Sequence, residues 1–212
     1  MTHMLNRRLI GEFTHDAGVG ASLDLPDTLP MDYVNVLRVA DGFITKDRRF
    51  RLFGTHQIGQ LPSVYEWNQS PWRNCYGHLM TDVFIVAEDI FGDQYGYDLG
   101  HGNAGQFIKV LCEGAERVAL APNSLGEFLV QKVLVESPTA YDYDLALRAA
   151  ERGLMHRDTE HLAFELPLIA NGEYSETNLQ IESPALHLSI LGQLSSQIAD
   201  KEEGTPIRRF GS

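Results

Sequence analysis

Nowhere does this chain carry the run of about 20 apolar residues that a membrane-spanning helix needs. Its N-terminus, MTHMLNRRLIGEF, has basic residues but no apolar segment and no small-residue cleavage site. Neither a membrane span nor a signal peptide is expected. Cysteine is nearly absent. Cys75 and Cys112 stand without a CxxC partner or a histidine at zinc-finger spacing, so reduced thiols in a cytoplasmic protein are expected rather than a disulfide framework. Basic residues are outnumbered, with 17 Lys and Arg against 29 Asp and Glu, a formal charge of −12. Phosphates repel such a surface, which argues against non-specific nucleic-acid binding and permits a basic protein partner. HxxxH, HExxH and GxSxG patterns, internal repeats and low-complexity segments are also missing.

What is present centres on Asp82 to Asp98, DVFIVAEDIFGDQYGYD. Val83 to Ala87 is a continuous apolar run, the pattern of a strand buried on both faces. Beyond it Glu88, Asp89, Asp93 and Asp98 alternate with Ile90, Phe91, Tyr95 and Tyr97. Gly92 and Gly96 punctuate the stretch, and no Lys or Arg occurs between Arg73 and Lys109. A core strand thus runs into an acidic, aromatic turn at which Gly92 supplies backbone freedom.

The 212 residues, 43% hydrophobic and 22% charged, suit one large globular domain or a domain with a small appendage. Leu5, Leu9, Ile10 and Phe13 are spaced for a short N-terminal helix. Pro30 opens a second helix and Gly42 closes it. Phe43-Ile44 and Phe50 to Phe53 read as a hairpin, Leu61 to Trp67 as a short helix, and Pro71-Trp72-Arg73 as a loop. Tyr95 to Leu99 and Gln106 to Leu111 pair across a glycine-rich connection, and Arg117 to Leu120 adds a strand. Ser124 and Glu127 form a capping-box pattern, each bonding the other's backbone amide. Beyond Ser137-Pro138 the texture shifts. A helix over Asp142 to Arg152, a strand over His161 to Leu166 and a turn at Asn171-Gly172 follow. A final helix begins at Ser183-Pro184, with His187, Leu191, Leu194 and Ile198 on one face. The chain accordingly divides into residues 1–136 and a small extension, 137–212, packed on the first part and frayed from about residue 202. Paired strands set apart from helices predict an α+β fold with a mainly antiparallel sheet.

Little of the available chemistry meets its own requirements. Gly100-His101-Gly102-Asn103-Ala104-Gly105 matches GxGxxG, but a dinucleotide site needs a helix next, and Gln106 to Val110 reads as a strand. No cofactor is expected. Asp89, Asp93 and Asp98 lack the ligand spacing of a calcium loop, and the scattered histidines read as structural or surface groups. No metal is expected. Adjacent residues on a strand point to opposite faces, so Glu88 and Asp89 do not share acid–base work. No catalytic residue stands out, and the chain reads as a binding protein rather than an enzyme. Tyr and Trp are favoured interface anchors and carboxylates steer basic partners, so the candidate partner-binding residues are Glu88, Asp89, Asp93, Tyr95, Tyr97, Asp98 and Trp72. The competing reading places these aromatics in the core or half-buried in the sheet. Gly42, Gly92, Gly96, Ser124 and Glu127 are assigned structural roles.

Leu29-Pro30-Met31-Asp32-Tyr33, Ala40-Asp41-Gly42-Phe43 and Phe50-Arg51-Leu52-Phe53 resemble the opening of the SUKH superfamily. That group includes yeast cell-wall-assembly regulators and bacterial immunity proteins. Asp41 stands where the family often has Asn. The apolar strand followed by Phe91-Gly92-Asp93 is similar to the same family and to GAD-like immunity proteins of type VI secretion systems. Asn178-Leu179-Gln180, His187-Leu188 and Leu191-Gly192-Gln193-Leu194 resemble the C-terminal region of that second group. The resemblance implies a curved antiparallel sheet flanked by helices, with a small helical C-terminal extension. It also implies neutralisation of a cognate toxin domain by direct contact, and no catalytic residues. A regulatory or scaffold module of the same fold, and an enzyme using the glycine-rich connection, are the alternatives.

Overall fold

The computed structural model describes residues 13–16, 29–100, 105–133, 143–199 and 201. Seven strands form an antiparallel meander in chain order: β1 (Phe13–Asp16), β2 (Phe43–Thr45), β3 (Phe50–Leu52), β4 (Val83–Asp89), β5 (Gln94–Asp98), β6 (Gln106–Val110) and β7 (Arg117–Ala119). β4 lies in the middle. Its Ile85, Val86 and Ala87 are 0% exposed, as an apolar run without polar alternation demands. Across from it, Gly96 sits beside a register irregularity between Ile85 and Ala87. A Cβ there would lie 2.1 Å from the Phe84 carbonyl oxygen, so a glycine is what allows β5 to close on β4. Phe13 begins a strand and not the end of a helix. Leu5, Leu9 and Ile10 lie outside the described residues.

Helices cover the sheet. α1 (Met31–Leu37) starts after Pro30 and buries Tyr33, Val34, Val36 and Leu37. The Tyr33 hydroxyl donates to the Phe53 carbonyl. At the end of this segment Gly42 turns the chain with φ +85°, and a Cβ would come within 2.6 Å of the Gly54 amide nitrogen. α2 (Val64–Asn68) carries a complete capping box between Ser63 and Glu66. α3 (Trp72–Tyr76) begins after Pro71, where the sequence predicted a loop; proline suits the entry to a helix. α4 (Leu125–Phe128) continues into a π-helical turn over Leu129–Val133. Here the Ser124 hydroxyl accepts from the Glu127 amide at 3.4 Å. The expected return bond from Glu127 is not made; Asp32 of α1 instead accepts from the Ser124 hydroxyl and the Leu125 amide. Phe50, Tyr95, Phe107 and Phe128 meet at ring-centroid distances of 5.3–6.1 Å, and Trp67, Trp72 and Tyr76 form a chain at 5.3 and 5.9 Å.

The C-terminal part is not purely helical. α5 (Tyr143–Glu151) precedes an antiparallel pair, β8 (His161–Phe164) and β9 (Leu179–Glu182), and then α6 (Pro184–Ile198). Leu145, Ala149, Leu162 and Leu179 form a small second core around Ile90, from the turn after β4. α6 returns to the main core, into which it places Leu188 and Leu191. Its Gly192 lies so close to α3 that a Cβ would be 2.6 Å from the Tyr76 ring and 2.9 Å from the Cys75 Cβ. The predicted boundary near Ser137-Pro138 and the tail from about residue 202 lie outside the described residues.

Candidate functional site

Arg51 and Glu88 face each other in the β3–β4 ladder. The guanidinium Nη1 lies 3.1 Å from Glu88 Oε1, with side-chain exposures of 2% and 1%. Gln94 donates to Glu88 Oε2 at 3.2 Å and accepts from the Trp67 indole at 2.8 Å. His161 Nε2 lies 3.2 Å from the same carboxylate oxygen, and its Nδ1 is 3.2 Å from His187 Nδ1. Arg51 also donates to the Glu160 carbonyl at 2.7 Å. This buried network joins the sheet to β8 and α6. Burial alone would raise Glu88, but the charge of Arg51, aided by hydrogen bonds from His161 and Gln94, outweighs it and holds the carboxyl below its ordinary range. Burial pushes both imidazoles down, His187 to about 3. The histidine pair is therefore neutral at physiological pH. Gly92, at φ +89°, lets it close over the turn: a Cβ would meet His161 Nδ1 at 3.0 Å and His187 Nδ1 at 3.1 Å.

Asp89 finds different partners, as alternation along a strand requires. It accepts from the Tyr95 hydroxyl at 3.0 Å and from the Phe91 and Asp93 amides at 3.0 and 3.1 Å. Lys109 Nζ lies 3.4 Å from Asp89 but 2.6 Å from Asp93. The single ammonium thus serves Asp93 first. Burial pushes Asp89 up to about 7 against the pull of Lys109, and the charge of Asp93 adds to the rise. Lys109, which burial alone would lower, is held above its ordinary value by Asp89 and Asp93. Further along, Arg117 pairs with Asp98 at 3.1 Å, and the Tyr97 hydroxyl donates to Asp32 at 3.2 Å.

These contacts correct the expected binding face. Glu88, Asp89, Tyr95, Tyr97, Asp98 and Trp72 are at most 5% exposed and are committed to internal partners or packing. The gap in basic residues along the chain is filled across the sheet, by Arg51 from β3, Lys109 from β6 and Arg117 from β7. Of the seven candidates, Asp93 keeps an accessible edge, with 16% of its side chain exposed.

Asp93 borders a cleft of about 340 Å³. The β4–β5 turn contributes Phe91 and Asp93, the β6–β7 turn Cys112 and Glu113, the end of β8 Phe164, and the β8–β9 connection Ile169 and Tyr174. Phe91 and Phe164 stack at 6.3 Å and 20°, and Tyr174 lies 5.8 Å from Phe164. Glu113 Oε2 accepts from the Ile169 amide at 2.6 Å. Burial pushes the Glu113 carboxyl up while the Ile169 and Leu168 amides pull it back. Among the described residues, no Lys, Arg or His reaches ion-pair distance of it. Burial also raises the Cys112 thiol, which donates to the Phe91 carbonyl at 3.4 Å and is held in its unreactive protonated form.

No protein-family model and no curated protein matches the chain. The crystal structure of Atu4351 from Agrobacterium tumefaciens shares the fold. It is 10% identical, with a TM-score of 0.54, over 90% of this chain and 87% of that one. At that identity the likeness concerns architecture alone, an α+β fold with an antiparallel sheet and flanking helices.

The glycine-rich connection joins two antiparallel strands, and it is β6 and not a helix that follows it in the chain, whereas a dinucleotide site needs a helix there. Residues 101–104 lie outside the described residues. Among the described residues no helix is long and apolar enough to cross a membrane, and no group of three or more His, Cys, Asp or Glu is placed to hold a metal ion. What the fold brings to an accessible place is the cleft, with aromatic walls and two carboxylates. Glu113, Phe164 and Tyr174 were not singled out by the sequence. The turn before Tyr174 was legible at Asn171-Gly172, but no local pattern ties it to a glutamate between β6 and β7.

Proposed function

We propose that this chain is an intracellular bacterial immunity-type protein, not an enzyme, which neutralises a cognate toxin domain by direct contact with a basic surface. One observation carries the reading. Glu88 and Asp98 inside the sheet are paired with Arg51 and Arg117, while an accessible cleft with aromatic walls retains a glutamate with no cation beside it among the described residues. Together with the net charge of −12, this favours a positively charged protein as the occupant. The resemblance of the Leu29 to Phe53 motifs to the SUKH opening supports the same role.

Co-expression with the product of the adjacent gene tests it. Rescue of growth, with a complex that survives co-purification and weakens as salt rises, is expected. Toxicity of the neighbour left unrelieved, or a neighbour with no toxic activity, would remove the immunity role. Capture of a partner that is not a toxin would assign a regulatory or scaffold role instead.

A further inference from the structure

We infer that the cleft bounded by Phe91, Asp93, Glu113, Phe164 and Tyr174 receives the guanidinium of an arginine side chain presented by the protein partner. This rests on the protein-binding reading above and names the chemistry at its centre. At about 340 Å³, the space lies near the low end of the roughly 300–1,000 Å³ typical of ligand pockets. It suits one side chain better than a dinucleotide or a folded peptide. Its walls are aromatic and aliphatic, with the Phe164 ring in contact with those of Phe91 and Tyr174, and Tyr174 is 52% exposed at the mouth. Aromatic surface attracts cations and accepts the flat face of a guanidinium.

The charges point the same way. Asp93 and Asp89 share Lys109. Glu113 has two amides on its carboxylate and no cation within reach among the described residues. The cleft therefore holds more negative than positive charge. A neutral apolar occupant would bury Glu113 further without a partner, which is costly. Lysine would supply charge, but its compact and strongly hydrated ammonium stacks poorly on rings. Arginine supplies charge, a flat face and a fork of donors for a carboxylate at once. Since burial raises Glu113, the incoming guanidinium displaces a proton from the protonated fraction, and affinity increases as pH rises through the range in which Glu113 ionises.

The intact protein is titrated with three blocked tripeptides, Gly-Arg-Gly, Gly-Lys-Gly and Gly-citrulline-Gly, followed by amide chemical shifts. Citrulline keeps the shape of arginine and removes its charge. Saturable shifts at Phe91, Glu113, Ile169 and Tyr174 are expected with the arginine peptide, with affinity at least about tenfold weaker for citrulline and intermediate for lysine. Glu113→Gln abolishes the shifts at unchanged melting temperature. Tyr174→Ala, at an exposed position, weakens them and serves where the glutamate variant folds poorly. Equal responses to arginine and citrulline, saturation unchanged in both variants, or no shift at any cleft residue up to about 10 mM peptide, a concentration at which even a millimolar site would be occupied, would overturn the assignment. The binding reading fails separately. If the partner from co-expression is retained at full affinity by Tyr174→Ala and Glu113→Gln, binding stands and the arginine site does not.

Discussion

Glu88 and Glu113 are acidic residues on either side of one aromatic turn, and they meet opposite circumstances. Glu88 sits in the middle of a ladder, opposite Arg51, with Gln94 and His161 on its other oxygen. Glu113 sits in a turn, with backbone amides on its carboxylate and an open cleft in front of it. A charge inside a sheet needs its counter-charge built into the neighbouring strand, because water cannot reach it. A charge in a turn can remain unmatched because solvent partly covers it, and it stays available to another molecule. Acidity along a sequence therefore says less about binding than where each carboxylate falls in the ladder.

The largest test of this contrast is Glu88→Ala. It leaves Arg51 and His161 buried without their anion, and a loss of about 3–5 kcal/mol in urea unfolding is expected. Glu113→Ala in the same assay should cost no more than about 1 kcal/mol. Equal losses would erase the distinction. Next comes Gly192→Ala. If the Glu88 network alone held the C-terminal part, the extra methyl would be tolerated. With a Cβ placed 2.6 Å from the Tyr76 ring, overpacking of about 1–3 kcal/mol is expected, read as a lower urea midpoint with unchanged m-value.

Acidity sharpens the contrast further. His187 has a folded value of about 3 against an ordinary 6.5, so the unfolded chain takes up the proton first. Its contribution is complete above 6.5 and is lost as pH falls from there toward 3, about 2 kcal/mol by pH 5. Asp89 runs the other way. With an ordinary value of 3.8 and a folded value of about 7, it favours the folded state increasingly as pH falls through that window. The two offset each other, so the native protein should lose little stability between about pH 7.5 and pH 5. In Asp89→Asn the offset is gone and the urea midpoint should fall steeply over the same interval. A flat profile in that variant would refute the neutral histidine pair. The smallest effect on stability belongs to Glu113→Gln, within about 0.5 kcal/mol, since an amide oxygen still accepts from Ile169; the loss of arginine-peptide binding is its readout.

Local features of the sequence proved readable, and relations across strands did not. Val83 to Ala87 announced β4 because a strand buried on both faces has no polar alternation. Ser183-Pro184 announced α6 because proline fits the first helical turn. The hairpin around β2 and β3, and the pairing of β5 with β6 past the glycines, followed from turn residues between apolar runs. β9 went unread, since Leu179-Gln180-Ile181-Glu182 is a short alternation that becomes a strand through its pairing with β8. Ser124 and Glu127 form half of the predicted box, and Asp32, on another helix, adds a contact no local pattern announces by accepting from the Ser124 hydroxyl and the Leu125 amide. Trp72, on a predicted loop, is a candidate anchor by residue type alone; Pro71 turns the segment into α3 and places the indole between Trp67 and Tyr76, as the competing core reading has it. The acidic face failed for the same reason on a larger scale. Arg51, Lys109 and His161 are remote from Glu88 and Asp89 along the chain and adjacent to them only once the sheet and the C-terminal part close.

The return of α6 to α3 makes a closed circuit of the molecule. The segment containing α5, β8 and β9 is anchored at one end by Ile90 and the histidine pair and at the other by Gly192 against Tyr76. It cannot come away from the sheet without lifting Leu188 and Leu191 out of the main core. Amide hydrogens of His161–Phe164 should therefore exchange in the same cooperative event as those of β4, not in a separate, earlier opening. A partner that grips the cleft would then be pulling on the whole fold at once.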